Sequence, residues 1–196
     1  PYPLFSYSGL VLWVYFTSAI TNASNSLIAN SSLITKVYFP RIIIPIASTI
    51  TGLVDYLISL LLVFIIMIYY NISPSISIIW LPSIIIITAM LAMGIGFWLS
   101  AINVKYRDVQ CAVPFFIQLL LFITPVIYPI SLAPRFHFLL SLNPMSGLLE
   151  AHRNILTNQP HTDMLLLMTS LVVTIGIFLT GFYYFNSNEK HFADII

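Results

Sequence analysis

The 63 residues between Arg41 and Lys105 contain one charged side chain, Asp55. That run fixes the solvent in which the chain folds. A spanning helix takes about 20 apolar residues, so the run has room for two crossings and a turn. The rest of the chain agrees, with 7 basic and 6 acidic residues among 196 and 59% hydrophobic residues, at a mean hydropathy of +0.99. A soluble domain is about 25% charged and is excluded. The fold class read from the sequence is an all-α integral membrane protein, a polytopic helical bundle, with 1–196 as a single transmembrane domain.

Residues 8–29 form a moderately apolar first span that becomes rich in Asn, Ser and Ala. Asn22, Ser24, Asn25 and Ser26 are polar groups at membrane depth, tolerable against another helix or a wet cavity, and interhelical hydrogen bonding is their expected role. Ser31 or Ser32 then caps a short amphipathic helix over 33–39, confined by Pro40 and Pro45. Residues 42–70 are a predominantly apolar run of 29 positions, about 43 Å of helix against a hydrocarbon core of about 30 Å. Residues 71–79 turn, 80–102 return, and Lys105, Arg107 and Asp108 precede an apolar run over 111–127. Within 128–163 the apolar pieces 136–142 and 145–156 are each too short to span and read as outer re-entrant helices. Residues 164–185 are the last span, followed by a tail over 186–196.

Five spans result, starting at Ser8, Ile42, Trp80, Cys111 and Met164. With the loops 30–41 and 103–109 and the tail in the cytoplasm, Lys36, Arg41, Lys105, Arg107 and Lys190 lie inside, against Arg135 and Arg153 outside, as the positive-inside rule asks. Re-entry of 128–163 from the outer face keeps Arg135, Glu150, Arg153 and Asp163 near water, and Glu150 and Arg153, three apart, are placed to pair. The chain opens on Pro1 rather than Met, and a missing N-terminal part is the expectation.

Several chemistries lack support. No GxxxxGK[ST] phosphate loop occurs, so ATP-driven work would take its nucleotide site from another chain. His137, His152, His161 and His191 have no metal-ligand spacing, the carboxylates are dispersed rather than paired, and Cys111 is the lone cysteine. No catalytic residue, metal or cofactor is expected on this chain, and a net charge of +1 leaves no footprint for nucleic acid. Asp55 lies about 15 Å into its helix, near mid-membrane, where an ionisable group raises a functional question. Without further members of a proton relay, a structural hydrogen bond is its first reading.

Four runs in order carry a resemblance: TKVYFPRIIIP at 35–45, LSAINVKYRDV at 99–109, PVIYP at 125–129 and LNPM at 142–145. Together they resemble the membrane-spanning subunit of polysaccharide ABC exporters, the family of O-antigen, capsule-like and teichoic-acid export, over all 196 residues as the C-terminal three-quarters of such a subunit. The resemblance implies a homodimer of six-span permeases in the bacterial cytoplasmic (inner) membrane. Each works with a separate ABC ATPase that holds ATP and Mg, and the pair exports a polysaccharide linked to polyprenyl pyrophosphate. It assigns coupling to the ATPase to the short cytoplasmic helix and its flank, with Ser32, Lys36, Tyr38, Phe39 and Arg41. A gate at the cytoplasmic surface falls to Lys105, Tyr106, Arg107 and Asp108, where Arg offers pyrophosphate a planar fork and Lys a point charge. Anchoring to anionic lipid, with Asp108 as local partner, is the alternative there. The channel and outer gate fall to Phe115, Phe116, Phe122, Pro125, Tyr128 and Pro129. Competing functions are export of a drug or another lipid, and an integral-membrane polymer ligase or glycosyltransferase.

Overall fold

The computed structural model describes residues 2–36, 39–126, 142–159 and 163–195. In order they form α1 (Tyr2–Ala29), α2 (Ser31–Lys36), α3 (Ile43–Tyr69), a 3-10 turn (Ile76–Trp80), α4 (Leu81–Lys105), α5 (Val109–Ile123), α6 (Pro144–Thr157) and α7 (Met164–Ile195). Among the described residues there is no strand, and four segments are long and apolar enough to cross a membrane: Tyr2–Ala29, Ile43–Tyr69, Ile76–Lys105 and Met164–Glu189. The all-α polytopic class therefore holds.

The expected fifth span, 111–127, is shorter than the sequence suggests. α5 begins at Val109 rather than Cys111 and has 15 residues, about 23 Å of helix, shorter than the hydrocarbon core. It stops because Thr124 precedes Pro125 and sits extended at φ −86°, ψ 134°, the region proline's ring imposes on its predecessor. The end of that run, Ile127, lies outside the described residues. Other limits shift as well. α1 starts at Tyr2 instead of Ser8, α4 runs on to Lys105, and α7 continues through the supposed tail to Ile195.

Lipid tails are as apolar as leucine, so helices in a membrane associate through close packing and polar contacts rather than through the hydrophobic effect. α1 packs between α3 and α4, and α4 pairs with α7. The α4–α7 seam is built on glycine, since a Cβ on Gly94 would stand 2.8 Å from the Phe178 Cα. The seam is reinforced by rings, with Phe97 against Phe178, Phe182 and Phe185 and Trp98 stacked on Tyr184 at 4.5 Å. α6 is too short to span; it packs against α1, α4 and α7 at the opposite end from α2. Val126, just past α5, has its carbonyl beside Gly9 of α1, so α5 carries the chain from the Lys105 end to the α6 end.

Candidate functional site

The α2 end is built from a turn. The N–H groups of Leu33 and Ile34 donate to the carbonyl of Asn30 at 3.0 and 3.1 Å, so the helix starts at Ser31 and both serines lie inside it rather than capping it. Its described part is Ser31–Lys36 and Phe39 is not helical, which corrects the expected 33–39 limits; Tyr38 lies outside the described residues. α2 buries Ile34, while Ser32, Leu33 and Lys36 are exposed. Ile34 joins Leu27 of α1, Ile44 of α3, Phe97, Ala101 and Val104 of α4 and Phe185 and Phe192 of α7 in one apolar cluster, against which Phe39 packs. Arg41, half-buried, is held by α7. Its backbone N–H donates to Glu189 Oε1 at 2.9 Å, and its Nη1 donates to the Glu189 backbone carbonyl.

The same cluster reaches the residues to which the resemblance assigns a gate. Val104 is buried in it, and the next residue, Lys105, ends α4. Lys105, Tyr106, Arg107 and Asp108 are all exposed, with Lys105 Nζ 5.5 Å from the Tyr106 ring centroid. Among the described residues neither cation is paired with Asp108, contrary to the local partnership expected. Asn103, two residues upstream, is buried and ties this end to α1, donating to the Ser24 carbonyl at 3.1 Å and Asn25 Oδ1 at 3.2 Å. The interhelical role expected of Asn25 is met. Ser26 instead donates to the Ala23 carbonyl of its own helix, Ser24 contributes only its carbonyl, and Asn22 is exposed.

Along α5, Phe115, Phe116 and Phe122 are exposed, and the first two meet edge-on at 6.1 Å. Tyr128 and Pro129 lie outside the described residues. Asp55 is exposed on α3 and makes no hydrogen bond with the described residues.

At the α6 end the LNPM run closes on α5. Asn143 caps α6 by accepting from the Met145 N–H at 3.0 Å, and its Nδ2 donates to Thr124 Oγ1 at 2.8 Å. Arg153, expected near water, is 3% exposed. Breaking a helix at proline frees carbonyls that must find donors, and here the guanidinium supplies them. Its Nη2 donates to the carbonyls of Pro125 at 3.2 Å and Val126 at 2.6 Å, and its Cζ lies 3.8 Å from the Phe5 ring centroid. Gly9 permits this approach, since a Cβ there would stand 2.6 Å from the guanidinium. Burial pushes the Arg153 pKa down to about 10, with the nearby charge of Glu150 opposing, so it remains a cation at neutral pH. The fully buried His152 shares a 2.7 Å hydrogen bond between Nε2 and the Tyr56 hydroxyl of α3. Burial pushes its pKa down to about 3; the Ser8 backbone opposes this and the charge of Arg153 adds to it. With the ring neutral, Nε2 can accept from the phenol. Asp163 is exposed and caps α7, accepting from the Leu165 N–H at 3.1 Å, while Arg135 lies outside the described residues.

The sequence reading passed over Asn103, Tyr56, His152 and Glu189. An asparagine in an apolar run opposite two others was a signal for the first; the remaining three meet partners 96 and 148 positions away, which no local pattern reveals. Among the described residues no three His, Cys, Asp or Glu side chains are grouped to hold a metal.

Residues 5–157 match the ABC-2 type transporter family. Among similar proteins, the O-antigen export system permease protein RfbA of Myxococcus xanthus is 28% identical over 198 residues, covering 100% of this chain and 76% of that protein. The protein of the same name from Klebsiella pneumoniae is 29% identical over 199 residues with the same coverage. Both are named as permeases, transport subunits rather than enzymes. With its membrane-length helices and a family match over most of its length, the chain belongs to the ABC-2 type transporter family, as a multi-pass membrane permease whose family implies an ATPase partner.

Proposed function

We propose that this chain is the membrane subunit of an ATP-driven exporter that carries a polysaccharide, linked to polyprenyl pyrophosphate, outward across the bacterial cytoplasmic membrane. It acts as a homodimer with two copies of a separate ATPase, where ATP and Mg are bound. The observation that carries this reading is the shared burial of Ile34 and Val104, by which a push on α2 reaches the residue next to Lys105. In this reading Ser32 and Lys36 on the outer surface of α2 meet the ATPase, and Arg41 fixes the far side of the connector. Lys105 and Arg107, exposed and unpaired with Asp108, receive the pyrophosphate headgroup as a point charge and a fork. The exposed phenylalanines of α5 offer sugar rings apolar faces as they pass, and Pro125 marks the outer gate. The O-antigen names of the relatives support a glycan cargo.

The test is transport in proteoliposomes holding this permease and the ATPase of its own system, with lipid-linked glycans purified from the same cells. ATP-dependent appearance of glycan on the far side is expected. Transport of a drug or a glycan-free lipid instead, or glycan transfer without ATP, would replace the reading with one of its competitors.

A further inference from the structure

The N-terminus of α3 and the C-terminal part of α7 brace one another. N–H groups at the start of a helix lack carbonyl partners within it, and a carboxylate is favoured there by the helix dipole. Arg41 stands just ahead of α3, and its N–H is satisfied from another helix, by Glu189 Oε1 at 2.9 Å. In return its guanidinium, whose charge suits the negative end of a helix, donates to the Glu189 carbonyl. Each residue thus contributes one side-chain contact and one backbone contact, and α7 is joined to the connector that runs between α2 and α3.

α7 is in turn locked to α4. The Gly94 backbone lies against Phe178, the Phe97 ring is surrounded by Phe178, Phe182 and Phe185, and Trp98 stacks on Tyr184. Packed interiors of this kind transmit displacement rather than absorb it. The last turn of α4 leads directly into 105–108 and then into α5, where Cys111 is exposed.

We infer that Glu189 is a positioning residue of the transport cycle, making α7 and α4 move with the connector when the ATPase displaces α2. Movement at α2 then reaches the 105–108 turn by two routes, Ile34 to Val104 and Arg41 through Glu189 to the α4–α7 pair. This inference rests on the coupling role proposed for α2.

The assembled permease–ATPase complex in proteoliposomes tests it, with the reactivity of Cys111 toward a maleimide as reporter of the 105–111 region, measured with and without ATP and vanadate. The expected wild-type result is a nucleotide-dependent change in labelling rate. Glu189→Ala should assemble and hydrolyse ATP, yet reduce that change about fivefold, the worth of roughly one hydrogen bond of coupling. Glu189→Gln, whose amide oxygen still accepts from the Arg41 N–H, should retain it. A purely structural brace would move assembly or melting temperature instead of the ratio of response to ATP hydrolysed. Unchanged response in Glu189→Ala overturns the inference, as does failure of both variants to assemble or equal loss in both. A separate control, Ser32→Cys crosslinking to the ATPase in a Cys111→Ser background, isolates the underlying reading. If that crosslink forms and Glu189→Ala is silent, only the inference falls; if it does not form, the coupling role and the inference fall together.

Discussion

At the α6 end of the bundle, Arg153 and His152 are withdrawn from solvent and their side chains reach other elements: Phe5 on α1, Tyr56 on α3 and the two carbonyls beyond α5. At the α2 end, Lys36, Lys105 and Arg107 stand exposed, and the apolar Ile34 does the packing. A buried cation is expensive unless its donors are used, and removing its partners leaves it uncompensated; such a group makes one arrangement of neighbours much better than the rest. An exposed cation specifies little about its surroundings and remains free to meet another molecule. The contrast teaches that the buried charge at the α6 end serves architecture, whereas at the α2 end Arg41 and Glu189 brace two helices and the exposed cations Lys36, Lys105 and Arg107 are left for the recognition proposed above.

The largest effect should come from Arg153→Ala. It strands the carbonyls of Pro125 and Val126 and opens the space against Phe5, a loss of about 3 kcal/mol or more for a buried, hydrogen-bonded cation. Thermal unfolding in detergent checks it, and a melting curve like that of the wild type would break the architectural half of the comparison. Arg153→Lys should recover only part, since an ammonium lacks the planar fork.

Next comes the Tyr56–His152 pair. Tyr56→Phe leaves the imidazole Nε2 without its partner at a cost of about 1–2 kcal/mol. The pH dependence has a definite sign. A histidine whose folded pKa lies near 3 rather than 6.5 binds fewer protons folded than unfolded. Its contribution is therefore complete above about pH 6.5 and is lost progressively as pH falls toward 3. The quantity to measure is the difference in melting temperature between wild type and His152→Gln at pH 7 and pH 4.5, which isolates the imidazole. The advantage of the wild type should shrink on acidification, and an advantage that grows would contradict the neutral imidazole.

At the α2 end, replacing Lys105 and Arg107 together by alanine should leave melting and membrane abundance unchanged, because both side chains are exposed and neither makes an ion pair with the described residues. Export should fall and lipid-linked glycan accumulate inside. Normal export in this variant would leave these cations as anchors for lipid headgroups and remove recognition from the comparison.

The two ends also differ in how much of them is legible in the sequence. Long spans are written plainly, since an apolar run such as 42–70 admits only one reading, and α3 differs from it by a residue at each end. The α5 limit was missed although its cause is local: Pro125 forbids helix at Thr124, while hydropathy alone continues to Ile127. Arg153 was assigned to water because charges usually go there, and its burial depends on acceptors that exist only once α5 has broken 28 residues away. Gly9 was the one visible trace of that contact, as a gap in a packed helix. Lys36, Lys105 and Arg107 are exposed, as charges in polar loops usually are, and exposure takes no partner to explain.

The most direct measurement is sidedness in intact cells. Single cysteines at Lys36 and Asp163, in a Cys111→Ser background, are exposed to a membrane-impermeant thiol reagent added outside. The account predicts that the Asp163 position, at the start of α7, reacts at once and that the Lys36 position, on α2, reacts only after the cells are opened. Labelling of the Lys36 position from outside, or of the Asp163 position only from within, would invert the bundle and take the ATPase away from α2.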